Sequence, residues 1–302
     1  VRRPAALVLL PVLLAGSLTA CVGGESETLP TVKGKYGSKP RVTVAKGTQP
    51  SKNLETKVLS EGDGREVQRG DLLVADYLGQ IYKGGKVFDN SYDRGAPAAF
   101  NLRKQNLISA WVKALDGVPV GSRVLLVAPP KEGYGKQGNP QAGIKGSDSL
   151  VFVVDIIAAY GKKTALPESE PVSDLPAGLP QVEGEADPQV TVPQGAEPPS
   201  EPKTTVLRTG TGPEVQQGRL GVLQFTAVDW SNKPLASSWE QGPAGVPIGG
   251  EQPSPFDELI GIPVGSRVLL LIPASTGEDP ATASVAVVID VLGQHGPAKE
   301  DA

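Results

Sequence analysis

The side chains that usually carry covalent or metal chemistry are nearly missing from this chain. It has one histidine, His295, near its C-terminal end, and one cysteine, Cys21, near its N-terminal end. A Ser-His-Asp or Cys-His hydrolase needs a histidine beside its nucleophile, and common zinc sites need several His or Cys ligands. Neither set can be assembled, so no metal and no cofactor are expected. No glycine-rich phosphate loop stands between a strand and a helix. Carboxylate pairs such as Asp89 and Asp93 read as surface charge. What remains is noncovalent chemistry, and its candidates are rings. Aromatic residues make up only 5% of the 302 residues. Yet Tyr77, Tyr82, Phe88, Tyr92, Phe100, Trp111, Tyr134 and Phe152 all fall in one half. Phe100 reads as core. The others lie beside strand ends, one helix and a glycine-rich loop, where pockets form.

The elements that must position these rings are mostly strands. Thr56–Leu59, Leu72–Tyr77, Arg123–Ala128 and Leu150–Ile157 are short apolar runs bounded by turn residues, which predicts β-strands. Leu107, Trp111, Ala114 and Leu115 recur at helical spacing and stop at Gly117, which predicts one short amphipathic helix. A long Gly/Pro loop spans 129–149. High glycine and proline content, 37 and 29 residues, also favours turns over long helices. The pattern then returns. Pro119-Val120-Gly121-Ser122-Arg123-Val124-Leu125-Leu126 reappears unchanged as Pro263 to Leu270. Upstream, Val42-Thr43-Val44 matches Val190-Thr191-Val192, and Glu66-Val67-Gln68 matches Glu214-Val215-Gln216. The period is the size of a domain, not of a solenoid repeat. The chain therefore reads as two copies of one unit.

Val74-Ala75-Asp76-Tyr77-Leu78-Gly79, Gly85-Lys86-Val87-Phe88-Asp89-Asn90-Ser91, Asp93-Arg94, Leu107-Ile108-Ser109-Ala110-Trp111, Gly117-Val118-Pro119-Val120-Gly121, Tyr134-Gly135 and Leu150-Val151-Phe152 follow in order. This stretch, about residues 57–158, resembles the FK506-binding-protein (FKBP) family of peptidyl-prolyl cis-trans isomerases. The resemblance implies an α+β fold, two FKBP-like domains in which a curved antiparallel β-sheet wraps a short helix. It also implies a pocket lined by Tyr77, Phe88, Asp89, Leu107, Ile108, Trp111, Tyr134 and Phe152. Trp111 would form its floor. The Ile108 N–H and the Tyr134 hydroxyl would each meet a substrate carbonyl. Asp89 would bond Tyr77 or Arg94, and Ile144 would flank the pocket. The implied partners are proline-containing polypeptide clients and FK506- or rapamycin-type macrolides. Five positions depart from a familiar member of the family. Ala98 replaces an aromatic wall residue, Asp76 and Asn139 replace histidines, and Lys145-Gly146 replaces a Pro-Pro. The changes at Ala98 and Lys145-Gly146 reshape the rim and leave the floor.

In the second copy Phe225 falls on Tyr77, Leu235 and Ala236 on Phe88 and Asp89, Gln252 and Pro255 on Ile108 and Trp111, and Glu278 on Tyr134. That copy is expected to fold and to be inactive. At the other end, Arg2-Arg3 and the apolar run Ala5–Leu14 precede Leu18-Thr19-Ala20-Cys21, a secretory signal that resembles a bacterial lipobox. That resemblance implies lipidation at Cys21 and an extracytoplasmic protein anchored to the bacterial cell membrane. The expected organisation is a signal peptide over 1–20, a flexible tether over 21–40 and an isomerase domain over 41–161. A Pro/acidic linker over 162–187, a degenerate domain over 188–294 and a tail over 295–302 complete it. A net charge of −4 with no Lys/Arg cluster argues against nucleic acid. Two functions fit: a prolyl isomerase assisting the folding of secreted or envelope proteins, or a noncatalytic module that holds proline segments. A solute-binding lipoprotein fits the leader and length and leaves the repeat unexplained.

Overall fold

The computed structural model of the chain describes residues 29–103 and 107–296. The expected signal peptide, the expected lipidation site Cys21 and most of the expected tail lie outside the described residues. A hairpin of β1 (Thr31–Lys33) and β2 (Arg41–Thr43) comes first. The first sheet follows: β3 (Glu55–Ser60), β4 (Leu72–Ile81), β5 (Val87–Asn90), β6 (Ala98–Asn101), β7 (Arg123–Ala128) and β8 (Leu150–Tyr160). Its order is β3-β7-β8-β4-β5, with β6 also on β4, and every pairing is antiparallel. β4 runs to Ile81, beyond the expected Tyr77, because it pairs with β8 on one side and with β5 and β6 on the other.

β4 is buried along its whole length because both of its faces are covered. Leu73, Ala75 and Tyr77 enter the main core, while Leu72 and Val74 enter a second cluster behind the sheet. Among the described residues this half has one α-helix, α1 (Ser109–Ala114), which turns Ala110, Trp111 and Ala114 onto the sheet's inner face. It ends where Gly117, at φ 81°, donates its N–H to the Val67 carbonyl at 2.8 Å. Only a residue without a Cβ takes that backbone conformation at no cost.

The second half repeats the plan. β9 (Ser169–Pro171) is followed by a hairpin of β10 (Gln181–Glu183) and β11 (Gln189–Thr191). Then come β12 (Lys203–Gly210), β13 (Leu220–Asp229), β14 (Pro234–Ser237), β15 (Ala244–Pro247), β16 (Arg267–Ile272) and β17 (Val285–His295). Their order is β14-β13-β17-β16-β12-β9, with β15 also on β13. Apart from β9 this is the order of the first sheet. The irregularities repeat as well: Ile157 in β8 and Leu292 in β17 are skipped residues at corresponding β-bulges. In place of α1 the second half has a five-residue 3₁₀ turn, Pro255–Leu259, capped by Ser254 and Asp257. Proline is accepted at that first position because the N–H it lacks would be unpaired there anyway.

Three expectations need correction. The tether reading of 21–40 covers β1, and the linker reading of 162–187 covers β9 and β10. Strands of three residues are too short to show periodicity in a polar stretch. Each hairpin is held from a distance by the repeated octapeptide. Arg123 bonds Asp155 at 2.6 Å and reaches the carbonyls of Gly34 and Ser38, and both members of the pair are almost fully buried. Arg267 does the same with Asp290, Gly184 and Glu185. The octapeptide is the bracket that ties each hairpin to its sheet. The third correction concerns His295. It closes β17 opposite Leu220 and is not part of a tail.

Candidate active site

A cavity of about 620 Å³ lies beside the β2 hairpin, but the rings converge on a different one, of about 460 Å³, at the mouth of the first core. Tyr77, Phe88, Asp89, Leu107, Ile108, Trp111, Tyr134 and Phe152 all line it, together with Phe100, Ser109 and Gly133. Trp111 is 2% exposed and forms the floor. Tyr77 and Phe152 meet its indole edge-on, at centroid distances of 5.6 Å each, and Phe100 lies tilted at 4.8 Å. Edge-to-face contacts of this kind favour one arrangement of the rings over others of equal area. Phe100 is therefore a wall residue and not merely core. Its strand reads Ala-Ala-Phe-Asn, with no alternation to say which side faces the pocket.

Phe88 owes its position to an irregularity. Across β4, Gly79 pairs with Asp89 and Gln80 with Val87, so Phe88 is the skipped residue of a β-bulge. A bulge of this kind re-aims a side chain. Here it brings Phe88 edge-on to Phe152, at 5.7 Å. Gly79 makes the room: a Cβ there would lie 2.7 Å from Phe88 Cζ and 3.0 Å from Phe152 Cε1.

One wall is polar and internally paired. The Tyr77 hydroxyl donates to Asp89, and Arg94 donates both to Asp89 and, at 2.9 Å, to the Tyr77 oxygen. The Arg94 guanidinium also sits 5.4 Å from the Tyr77 ring centroid. Burial, then the bond to Asp89, pushes the Tyr77 hydroxyl up to about 12. It stays protonated at any physiological pH and remains the donor of that bond. Arg94 itself does not line the cavity; it holds two residues that do. The 3₁₀ turn Tyr92–Arg94 sets it there.

Two of the lining residues carry donors. Ile108 caps α1 at φ −57°, ψ 142°, and its N–H has no backbone acceptor among the described residues. The first N–H groups of a helix have no partner within it. Tyr134 is 37% exposed, on the long loop between β7 and β8. That loop is tied to α1 by Glu132, whose carboxylate accepts from Lys113 at 2.7 and 2.8 Å and from the Ser109 hydroxyl at 2.5 Å. The Lys113 bond, then the Ser109 bond, holds the Glu132 carboxyl below its usual range. Sequence reasoning missed this clamp. It also missed Ser91, whose hydroxyl accepts from the Tyr77 N–H and donates to Asp76. The repeat carried a signal for it, because Ser238 accepts from the Phe225 N–H in the same way.

Ile144 is not where the resemblance puts it. It is 3% exposed, belongs to the buried core and does not line the cavity. Paired with Asn139 through both backbone groups, it anchors the base of the loop.

In the second half the corresponding positions make no such cradle. Leu235 is 50% exposed at the matching bulge of β14, Gln252, Pro255 and Glu278 are exposed, and among the described residues Phe225 has Phe256 alone as an aromatic neighbour, at 6.3 Å.

Comparison with known proteins gives the family of the chain. The family described as FKBP-type peptidyl-prolyl cis-trans isomerase matches residues 63–157. An FK506-binding protein of Streptomyces anulatus is 35% identical over 112 residues, which are 37% of this chain and 90% of that protein. The FKBP-type peptidyl-prolyl cis-trans isomerase FkpA of Escherichia coli K12 is 36% identical over 122 residues, 40% of this chain and 43% of FkpA. The crystal structure of E. coli FkpA aligns at a TM-score of 0.33 with 36% identity, covering 38% of this chain and 52% of that one. The chain thus spans nearly all of the Streptomyces protein and under half of FkpA. It belongs to the FKBP-type peptidyl-prolyl cis-trans isomerases, and its enzyme class is that of isomerases acting at X–Pro bonds.

Proposed function

We propose that the cavity over Trp111 accelerates rotation about X–Pro bonds in proline-containing polypeptides, without covalent bonding and without a cofactor. The observation that carries this reading is the closed set of rings over one floor, with a fixed polar wall and two lining residues that carry donors. An X–Pro bond resists rotation by about 18–20 kcal/mol because the planar amide is stabilised by resonance. The planar amide is also more polar than the twisted one. A cradle of Trp111, Phe100, Phe152 and Phe88 around the proline ring disfavours the planar state relative to the twisted state. The Ile108 N–H and the Tyr134 hydroxyl orient the flanking carbonyls. Asp89, held by Tyr77 and Arg94, presents a carboxylate that need not reorganise as the amide twists. This is differential binding of the transition state, with desolvation contributing. The test is a protease-coupled assay on an X–Pro peptide, with FK506 or rapamycin as competitor. Binding of the peptide without acceleration would leave a holding module in place of an enzyme.

Under this reading the chain holds two FKBP-like domains, each entered through its hairpin, and only the first is active. The lost rings of the second are what support that assignment. Secreted or envelope proteins would be the clients. Lipidation at Cys21 would place the active domain outside the bacterial cell membrane. A Cys21→Ser chain is then expected in the soluble fraction, and one still sedimenting with membranes would count against the anchor.

A further inference from the structure

The two halves meet through residues that occupy the same place in each. Leu72 and Val74 of β4 share one buried cluster with Leu220 and Val222 of β13, their counterparts. The bulge residues Ile157 and Leu292 enter the same cluster. Ala99, opposite Val74, touches Gly245, opposite Val222. Tyr160, opposite Leu72, shares a 2.8 Å hydrogen bond with His295, opposite Leu220. Contact between equivalent residues is the mark of a two-fold, isologous interface, in which one patch is its own partner. The packing is close because glycine stands at the contact points. A Cβ on Gly245 would lie 2.3 Å from Ala99 Cβ, and one on Gly293 would lie 2.2 Å from the Tyr160 hydroxyl. At the rim Arg103 donates to the Gln241 side chain at 2.8 Å, and the buried Gln224 donates to the Lys162 carbonyl at 3.0 Å.

The differences between the copies show what has been kept. The cavity positions have changed in kind: Phe88 to Leu235, Asp89 to Ala236, Trp111 to Pro255, Tyr134 to Glu278. On the outer face Leu72 and Val74 are unchanged as Leu220 and Val222. We propose that the second half is a permanently docked partner. It takes, within one chain, the place that a second subunit would hold in a symmetric dimer, and it covers the back of the strand that presents Tyr77 to the cavity. Its sheet is needed for this and its pocket is not.

The test uses the full chain and the contact at Ala99 and Gly245. Gly245→Leu is expected to separate the halves, raising the radius of gyration in small-angle scattering and splitting one thermal transition into two. Ala99→Leu, made from the other side, is expected to do the same, with strand content by circular dichroism unchanged in both. Gly245→Ala is expected to separate them in part, and adding Ala99→Gly to it restores the parent curve, because the space is shared. Scattering and melting unchanged in both leucine variants would overturn the proposal. So would a failure of Ala99→Gly to restore Gly245→Ala, since damage confined to one sheet cannot be repaired from the other.

Discussion

Phe88 shows how much a single side chain carries. It is half-buried, makes its ring contact with Phe152, and owes its aim to the bulge opposite Gly79. Phe88→Ala removes a wall of the cavity without opening the core below it. Turnover, as kcat/KM on an X–Pro peptide, is expected to fall at least tenfold, about 1.4 kcal/mol of lost transition-state stabilisation. The unfolding midpoint is expected to stay near that of the parent. Unchanged turnover would remove Phe88 from the site. The polar wall makes a second prediction. Tyr77 is held at about 12, and the only histidine, His295, pairs with Tyr160 and does not line the cavity. The rate is therefore expected to be flat from about pH 6 to 9 when the substrate does not titrate, since among the described residues no histidine or cysteine lines the cavity. A bell-shaped profile with an inflection inside that range would show that a proton donor has been missed.

Among the elements, the two hairpins depend most on a remote contact. Arg123 and Asp155 are almost fully buried, and Asp155 also accepts from the Gly37 N–H and the Tyr92 hydroxyl. Asp155→Ala leaves a buried guanidinium without its carboxylate, which costs about 3–5 kcal/mol. Urea unfolding is expected to show the midpoint lowered with the slope unchanged. A loss below about 1 kcal/mol would mean that water replaces the carboxylate, as it does for surface pairs. The octapeptide was legible as a repeat. Its purpose was not, because the carbonyls it holds lie far away in sequence, in the turns of hairpins whose strands have three residues. The longer strands and α1 were legible because apolar spacing and turn residues are local signals. The bulge at Phe88 was not, since pairing register depends on both strands at once.

At the scale of the whole molecule, His295 is expected to couple docking to pH. Its ring lies against Tyr160, with Arg219 nearby, and burial, then the Arg219 charge, lowers its pKa below the ordinary 6.5. Tyr160 is raised to about 12 by burial and remains a hydroxyl. Above 6.5 the imidazole is neutral whether the halves are docked or apart, and the interface has its full strength. As the pH falls below 6.5 a freed ring takes up a proton that the docked ring resists, so docking weakens. It stops weakening once the docked ring is protonated too. Scattering between about pH 7.5 and 5.5 is expected to show the halves loosening, and His295→Gln is expected to remove that dependence. A parent chain as compact at the acid end as at neutral pH would refute it.

By itself the sequence determined the repeat, the strand-rich class, the family and five of the six rings that line the cavity. Each of these is written in residue type and short-range spacing, which survive being read one window at a time. Only the tertiary structure decided that Phe100 is a wall, that Ile144 is core, that His295 closes a strand, and that two outer faces are buried against each other. Those outcomes depend on which face of a strand another element covers. A chain carries no mark of that until remote segments meet, because an apolar residue is equally suited to a core, a pocket or an interface.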